Sequence, residues 1–155
     1  ILEGLIMNMV TPIELIKAVI DTMGEQRFGR IVNITSVTVK MGITGLTLSS
    51  GTRAGFTGFM SGIAREMVDR NVTINHLLPG YVDTEKMRSG MTAAAEKAER
   101  TVDEVTTQRL ALIPAGRFAH PNEIGQTCAF LCGQSAGYIT GQNIVVDGGL
   151  YNGVF

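Results

Sequence analysis

Between Arg30 and Arg53 a short β-branched run empties into a polar loop, and the chain then re-enters a long segment of helical periodicity. The run Arg30-Ile-Val-Asn-Ile34 reads as a buried parallel strand, since strands covered on both faces are near-continuous in Val and Ile. From Arg53 to Val68, residues Ala54, Phe56, Phe59, Met60, Ile63, Ala64 and Met67 fall at spacings that suit a largely buried helix. Ligands of open α/β sheets bind outside the carboxyl ends of strands, so the loop from Thr35 to Ser50 lies where chemistry would be done.

Two more strands are predicted, Val72 to Leu77 and Asn143 to Val146, giving an α/β chain with three parallel strands. At 155 residues there is one domain's worth of chain, with enough apolar content to bury a core. A net charge of −1 and the lack of a basic cluster give no electrostatic case for nucleic acid or an anionic membrane. No apolar run is long enough for a membrane span and no signal peptide opens the chain, which reads as soluble and cytoplasmic. Cys128 and Cys132 share one helix face without a second pair or a His-x-x-x-His to complete a metal set; no metal is expected, and both read as small buried apolar residues. His76 reads as a satisfied core histidine.

Taken together, Gly29 to Ser36 (GRIVNITS), Arg53 to Met67 (RAGFTGFMSGIAREM), Val72 to Thr84 (VTINHLLPGYVDT), PAGRFAHPNEI and Tyr138 to Gly149 (YITGQNIVVDGG) resemble the short-chain dehydrogenase/reductase family, in its 3-oxoacyl-carrier-protein-reductase-like branch. The resemblance spans nearly the whole chain, in the family's order and spacing. It implies a Rossmann-type doubly wound parallel sheet, of which residues 1–155 would be the C-terminal portion. A dinucleotide site of this type needs a first strand and a glycine-rich turn for the pyrophosphate, and the glycines here follow the wrong strands. The family's length would then be short by roughly its first two-fifths. The edge of the first strand would stand open where that half pairs, leaving the isolated piece marginal.

In such enzymes a serine follows the strand, a tyrosine stands thirteen residues on, and a lysine four beyond that. The serine position is Ser36, but the other two hold Ser49 and Arg53. The family's tyrosine exchanges a proton with the substrate oxygen while hydride moves to or from nicotinamide, and the lysine lowers the tyrosine pKa. That work needs a donor tunable to the operating pH, and a serine hydroxyl is far from that range. Arg53 can still fork hydrogen bonds to ribose hydroxyls, but effectively never gives up its proton. Asn8 matches the family's fourth catalytic member, an asparagine that helps hold a relay water. Three readings stay open: a reductase relying on Ser36, Ser49 and a water relay, one whose acid comes from elsewhere, or a non-catalytic dinucleotide-binding or assembly subunit.

The same resemblance places the nicotinamide carboxamide after Pro79-Gly80, against the Val82 backbone and the Thr84 hydroxyl, with a buried turn threonine as the plain alternative for Thr84. The cofactor would be NAD or NADP and the substrate a small ketone, secondary alcohol or 3-oxoacyl thioester. Residues 85–113 would form the substrate lid, as two short helices with Thr101 and Glu104 as a capping box. Met87, Met91, Val105 and Leu110 would face the pocket. Arg117 and Asp147 look structural. Earlier in the chain one helix is expected from about Ile1 to Met23, with Pro12 either kinking it or starting it anew behind Thr11 and Glu14. Finally, Gly51, Gly55, Gly58 and Gly62 line one face of the Ser50 to Asp69 helix, at a cost of roughly 1 kcal/mol each relative to alanine. Close approach of another backbone would repay that cost. The family pairs this helix with its copy, so a homo-oligomer, dimer or tetramer, is expected through it and the C-terminal strand, with packing against the parent sheet as the alternative.

Overall fold

The computed structural model describes residues 1–154 of the chain. Six α-helices, α1 (Leu2–Leu5), α2 (Thr11–Glu25), α3 (Thr47–Met67), α4 (Glu85–Ala98), α5 (Val102–Leu110) and α6 (Pro121–Cys132), surround three strands. Strands β1 (Gly29–Ile34), β2 (Val72–Pro79) and β3 (Asn143–Val146) form one parallel sheet in the order β1-β2-β3, with Ile31 opposite Ile74 and Leu77 opposite Ile144. Side chains alternate across a strand, so the two faces of β2 feed two cores. On one face Ile31, Val72 and Ile74 pack with Ile16 of α2 and with Phe56, Met60, Ala64 and Met67 of α3. On the other, Leu77, Val32, Ile144 and Val146 pack with Ile124 and Leu131 of α6. Helices on both faces of a parallel sheet are the doubly wound arrangement expected from the motifs.

Burial along β2 is complete from Val72 to Leu78, as befits a central strand, whereas β1 is only partly covered. Ile34 is 49% exposed, which corrects the expectation of a fully buried strand. The reason is position: among the described residues β1 has a strand partner on one side only.

The N-terminal helix does not restart behind a Thr11 cap. Its backbone stays right-handed helical through Val10 and Thr11, and five residues, Ile6–Val10, form a π-turn in which the Thr11 N–H donates to the Ile6 carbonyl. Pro12 explains this, because it has no N–H for the Asn8 carbonyl and its ring would collide with that carbonyl in a regular α-turn. Thr11 therefore caps nothing, and Glu14 pairs with Lys17 instead of closing a capping box.

Helix α3 buries Phe56, Met60, Ala64 and Met67, but Ala54 and Phe59 face outward, Phe59 with 48% of its surface exposed. The outward side also carries the glycines: a Cβ at Gly51, Gly58 or Gly62 would meet nothing within 4 Å, and one at Gly55 would meet only the Met9 side chain. Packing against the parent sheet is thus not what the stripe does.

Two expectations about the core change. Cys132 is exposed and Cys128 half-buried, because their face of α6 lies at the rim of the second core. His76 is 1% exposed, but neither ring nitrogen finds a hydrogen-bond partner among the described residues. Its ring meets Phe56 edge-on at 5.6 Å, and burial pushes its pKa down to about 4.

Candidate active site

The carboxyl end of β1 delivers the chain into the site. There the Thr35 N–H donates to the Leu77 carbonyl at 2.8 Å, and Ser36 leaves the sheet in an extended conformation. The Ser36 Oγ accepts the Thr38 N–H at 3.2 Å and so caps a 3-10 turn over Val37–Val39. As an acceptor in that cap, the hydroxyl keeps its own proton free to donate. After a loop, α3 begins at Thr47, and its first turns carry Ser49 and Arg53 four residues apart on one face. The Arg53 Nε donates to the Ser49 Oγ at 3.0 Å. Burial draws the Arg53 pKa below its ordinary value, and its terminal nitrogens have no protein acceptor among the described residues.

Opposite stands the turn that follows β2. Gly80 crosses tightly over the end of β3: a Cβ there would lie 2.7 Å from Asp147 Cβ and 2.9 Å from Asp147 Cα, so only glycine fits. Val82 is held by a bridge to Ala119, and the Asp83 N–H donates to the Ala119 carbonyl at 2.9 Å. The Thr84 side chain caps α4 by accepting the Met87 N–H at 3.2 Å. It is exposed, not the buried turn threonine of the alternative reading.

These elements enclose a cleft of about 710 Å³ lined by Ser36, Ser49, Arg53, Gly80, Val82 and Thr84, together with Ile34, Leu46, Tyr81, Lys86, Met87 and Arg109. Most of the residues singled out from the sequence are thereby brought together. Two are not. Pro79 ends β2 opposite Val146 and does not line the cleft. Asn8 lines a neighbouring cavity of about 480 Å³ with Asn33, and the two cavities share Ile34, Thr35 and Arg53 in their walls. The buried Asn33 Nδ2 in that second cavity has no partner among the described residues.

Of the expected apolar lid residues only Met87 reaches the cleft. Met91 and Val105 turn inward with Ala95 and pack against Phe118, because α4 and α5 need a core of their own. The Thr101–Glu104 capping box is present. Sequence reasoning missed Tyr81, Lys86 and Arg109, since the charged segment reads as a solvated face. The polar side chains at the strand-end side of the cleft are the hydroxyls of Ser36, Ser49, Thr35 and Thr84, the fixed cation of Arg53 and the phenol of Tyr81. Arg117 forms a two-pronged pair with Glu123 at 2.7 Å, and the Asp147 carboxylate accepts the Gly149 and Tyr151 N–H groups, so both serve the turns around the sheet end. No group of three His, Cys, Asp or Glu side chains is placed to hold a metal, and no helix is long and apolar enough to cross a membrane, among the described residues.

Residues 3–151 match a family model described as enoyl-(acyl carrier protein) reductase. The 3-oxoacyl-[acyl-carrier-protein] reductase FabG of Vibrio cholerae serotype O1 is 40% identical over 144 residues, 93% of this chain and 54% of that protein. An acetoacetyl-CoA reductase of Allochromatium vinosum is 38% identical over 144 residues, again 93% of this chain and 54% of that protein. Among solved structures, an actinorhodin polyketide ketoreductase with NADPH superposes with a TM-score of 0.88 at 30% identity, covering 94% of this chain and 57% of the other. The NADPH-dependent reductase YwfH of bacilysin biosynthesis superposes with a TM-score of 0.87 at 28% identity, covering 94% and 56%. The chain spans just over half the length of the curated relatives it matches. By fold, by the cleft at its strand ends and by these likenesses, the chain belongs to the short-chain dehydrogenase/reductase family, in the branch of the 3-oxoacyl-carrier-protein reductases.

Proposed function

We propose that this chain forms the substrate-side portion of an NAD(P)-dependent carbonyl reductase, acting on a ketone, a secondary alcohol or a 3-oxoacyl thioester through an altered active site. The observation that supports this best is the cleft itself: Ser36, Ser49 and Arg53 from one side and Val82 and Thr84 from the other converge on one space at the strand ends. The nicotinamide supplies or takes the hydride when bound. Arg53, with its free terminal nitrogens, suits ribose hydroxyls, and Gly80 lets the Val82 backbone and the Thr84 hydroxyl approach a carboxamide. Ser36 holds the substrate oxygen. The proton comes through Ser49 and a water, with Asn8 and Arg53 bordering the route, or from Tyr81. The relatives' printed activities, reduction of 3-oxoacyl and acetoacetyl thioesters, support the substrate class.

A second reading, a member that binds dinucleotide or serves in assembly without turnover, is favoured by Ser49, which puts a weakly acidic hydroxyl where the family has a phenol. Assembly as a dimer or tetramer fits the outward stripe of Gly51, Gly58 and Gly62 with the exposed Phe59, and the C-terminal strand. To test the proposal, the full protein carrying this chain is titrated with NADH and NADPH by nicotinamide fluorescence and assayed for 3-oxoacyl thioester reduction. Binding together with turnover supports the reductase, binding alone supports the second reading, and neither rejects both.

A further inference from the structure

The cleft is lined by three cationic side chains, Arg53, Lys86 and Arg109, and by no Asp or Glu. The neighbouring Asp83 carboxylate is engaged elsewhere, taking both prongs of Arg88 at 2.8 and 2.9 Å. Arg109, in the last turn of α5, is held in place without a counter-ion. Its guanidinium sits 5.1 Å from the centroid of the Tyr81 ring, which in turn meets Phe118 edge-on at 6.3 Å. Stacking on a ring fixes the plane of a guanidinium and leaves its in-plane N–H groups for an acceptor. Among the described residues no protein oxygen takes them.

A half-buried arginine, oriented by an aromatic face and unpaired inside a concave space free of acids, is suited to fork onto a planar anion. We infer that the substrate carries an anionic group, a carboxylate or a phosphate, which docks on Arg109 at the lid end of the cleft while the carbonyl lies toward Ser36 and Ser49. Arg109 is then a specificity residue and Lys86 adds to the local field. This rests on the reductase reading, which it deepens by naming a charge on the substrate.

Calorimetric titration of the full protein loaded with nicotinamide dinucleotide compares acetoacetate, its uncharged methyl ester and acetoacetyl phosphopantetheine. Arg109→Met, which keeps the apolar stem over Tyr81, is expected to weaken the anionic ligands roughly 10- to 100-fold, the usual worth of a charge-assisted bond. The ester is unchanged, Arg109→Lys falls between, and added salt weakens only the anions. An effect on acetoacetate alone identifies a carboxylate, and one on the phosphopantetheine alone a phosphate. Equal weakening of ester and anions, weakening of the dinucleotide instead, or no binding of either anion by the unaltered protein would overturn the inference. Since binding is read directly, a lack of turnover in parallel assays counts against the reductase reading and leaves this comparison standing.

Discussion

The Arg53 Nε donates a 3.0 Å hydrogen bond to the Ser49 Oγ, so the serine and the arginine on the first turns of α3 are partners of each other. An arginine bound in this way stabilises negative charge on an oxygen but cannot relay a proton. On the proposed reading of an altered active site, replacing the pair together, Ser49→Tyr with Arg53→Lys, places a phenol beside a tunable ammonium. In the full protein this double variant is expected to raise the rate of carbonyl reduction by roughly 100-fold or more, the usual yield of a positioned acid. Rates measured at saturating dinucleotide decide it. An unchanged or lower rate would mean that the existing residues already supply the proton.

Tyr81, which lines the same cleft, is the alternative proton source on the proposed reading. Tyr81→Phe keeps the ring under Arg109 and removes only the hydroxyl. If the phenol is the acid, kcat falls about 100-fold or more with KM for substrate little changed. An unaltered kcat returns the assignment to Ser36, Ser49 and water.

Gly80→Ala is predicted to damage the site without touching any polar group. The new methyl would overlap the Asp147 backbone and side chain, and such overpacking costs about 1–3 kcal/mol. Thermal melting of the full protein should drop by several degrees, and dinucleotide affinity should fall as the Val82 backbone moves. Gly58→Leu is the contrasting case, since its Cβ points into open space. A lone protomer would tolerate it, while an assembly that closes over the glycine stripe would dissociate. Sedimentation of the two variants side by side separates the outcomes, and an unchanged assembly rules the stripe out as a contact.

Acid should test His76. Its folded pKa, about 4, lies below the ordinary value near 6.5, so between these limits the unfolded chain binds the extra proton. Stability is therefore full above about pH 6.5 and declines as the pH falls toward 4, by an amount on the order of 3 kcal/mol. His76→Leu removes the titration and two unpaired nitrogens at similar volume. Urea unfolding of both proteins across this range should show a flatter profile for the variant. Parallel profiles would place the proton uptake elsewhere.

How much of this was legible beforehand depended on the scale of the feature. The three strands, the helix after the first of them, and the gathering of Ser36, Ser49, Arg53, Val82 and Thr84 follow from local periodicity and from motif spacing, because strand ends in such sheets converge on one side. The π-turn before Thr11 did not, since Pro12 permits a kink, a cap or a widened turn, and packing of Met9 and Ile13 onto the sheet core selects among them. Met91 and Val105 lie in the small core and not in the pocket: amphipathic spacing gives a helix face but not its target. Arg109 was invisible for the opposite reason: its neighbour Tyr81 lies 28 positions away in sequence, and only the fold puts ring and guanidinium together. The unpaired state of His76 was hidden too, since pairing depends on what the strand beside it and the helix above it present.

The helices α4, α5 and α6 are all inserted between β2, which ends at Pro79, and β3, which begins at Asn143. Closing a chain loop costs only in proportion to the logarithm of its length, about 0.6 kcal/mol for each doubling. The α4 and α5 pair, which lines the cleft with Lys86, Met87 and Arg109, also carries a small core of its own, Met91, Ala95 and Val105. Natural variation can therefore lengthen, shorten or re-sequence this excursion while the sheet keeps its register, so the fold lets one wall of the cleft diverge almost independently of the elements that place Ser36 and Arg53.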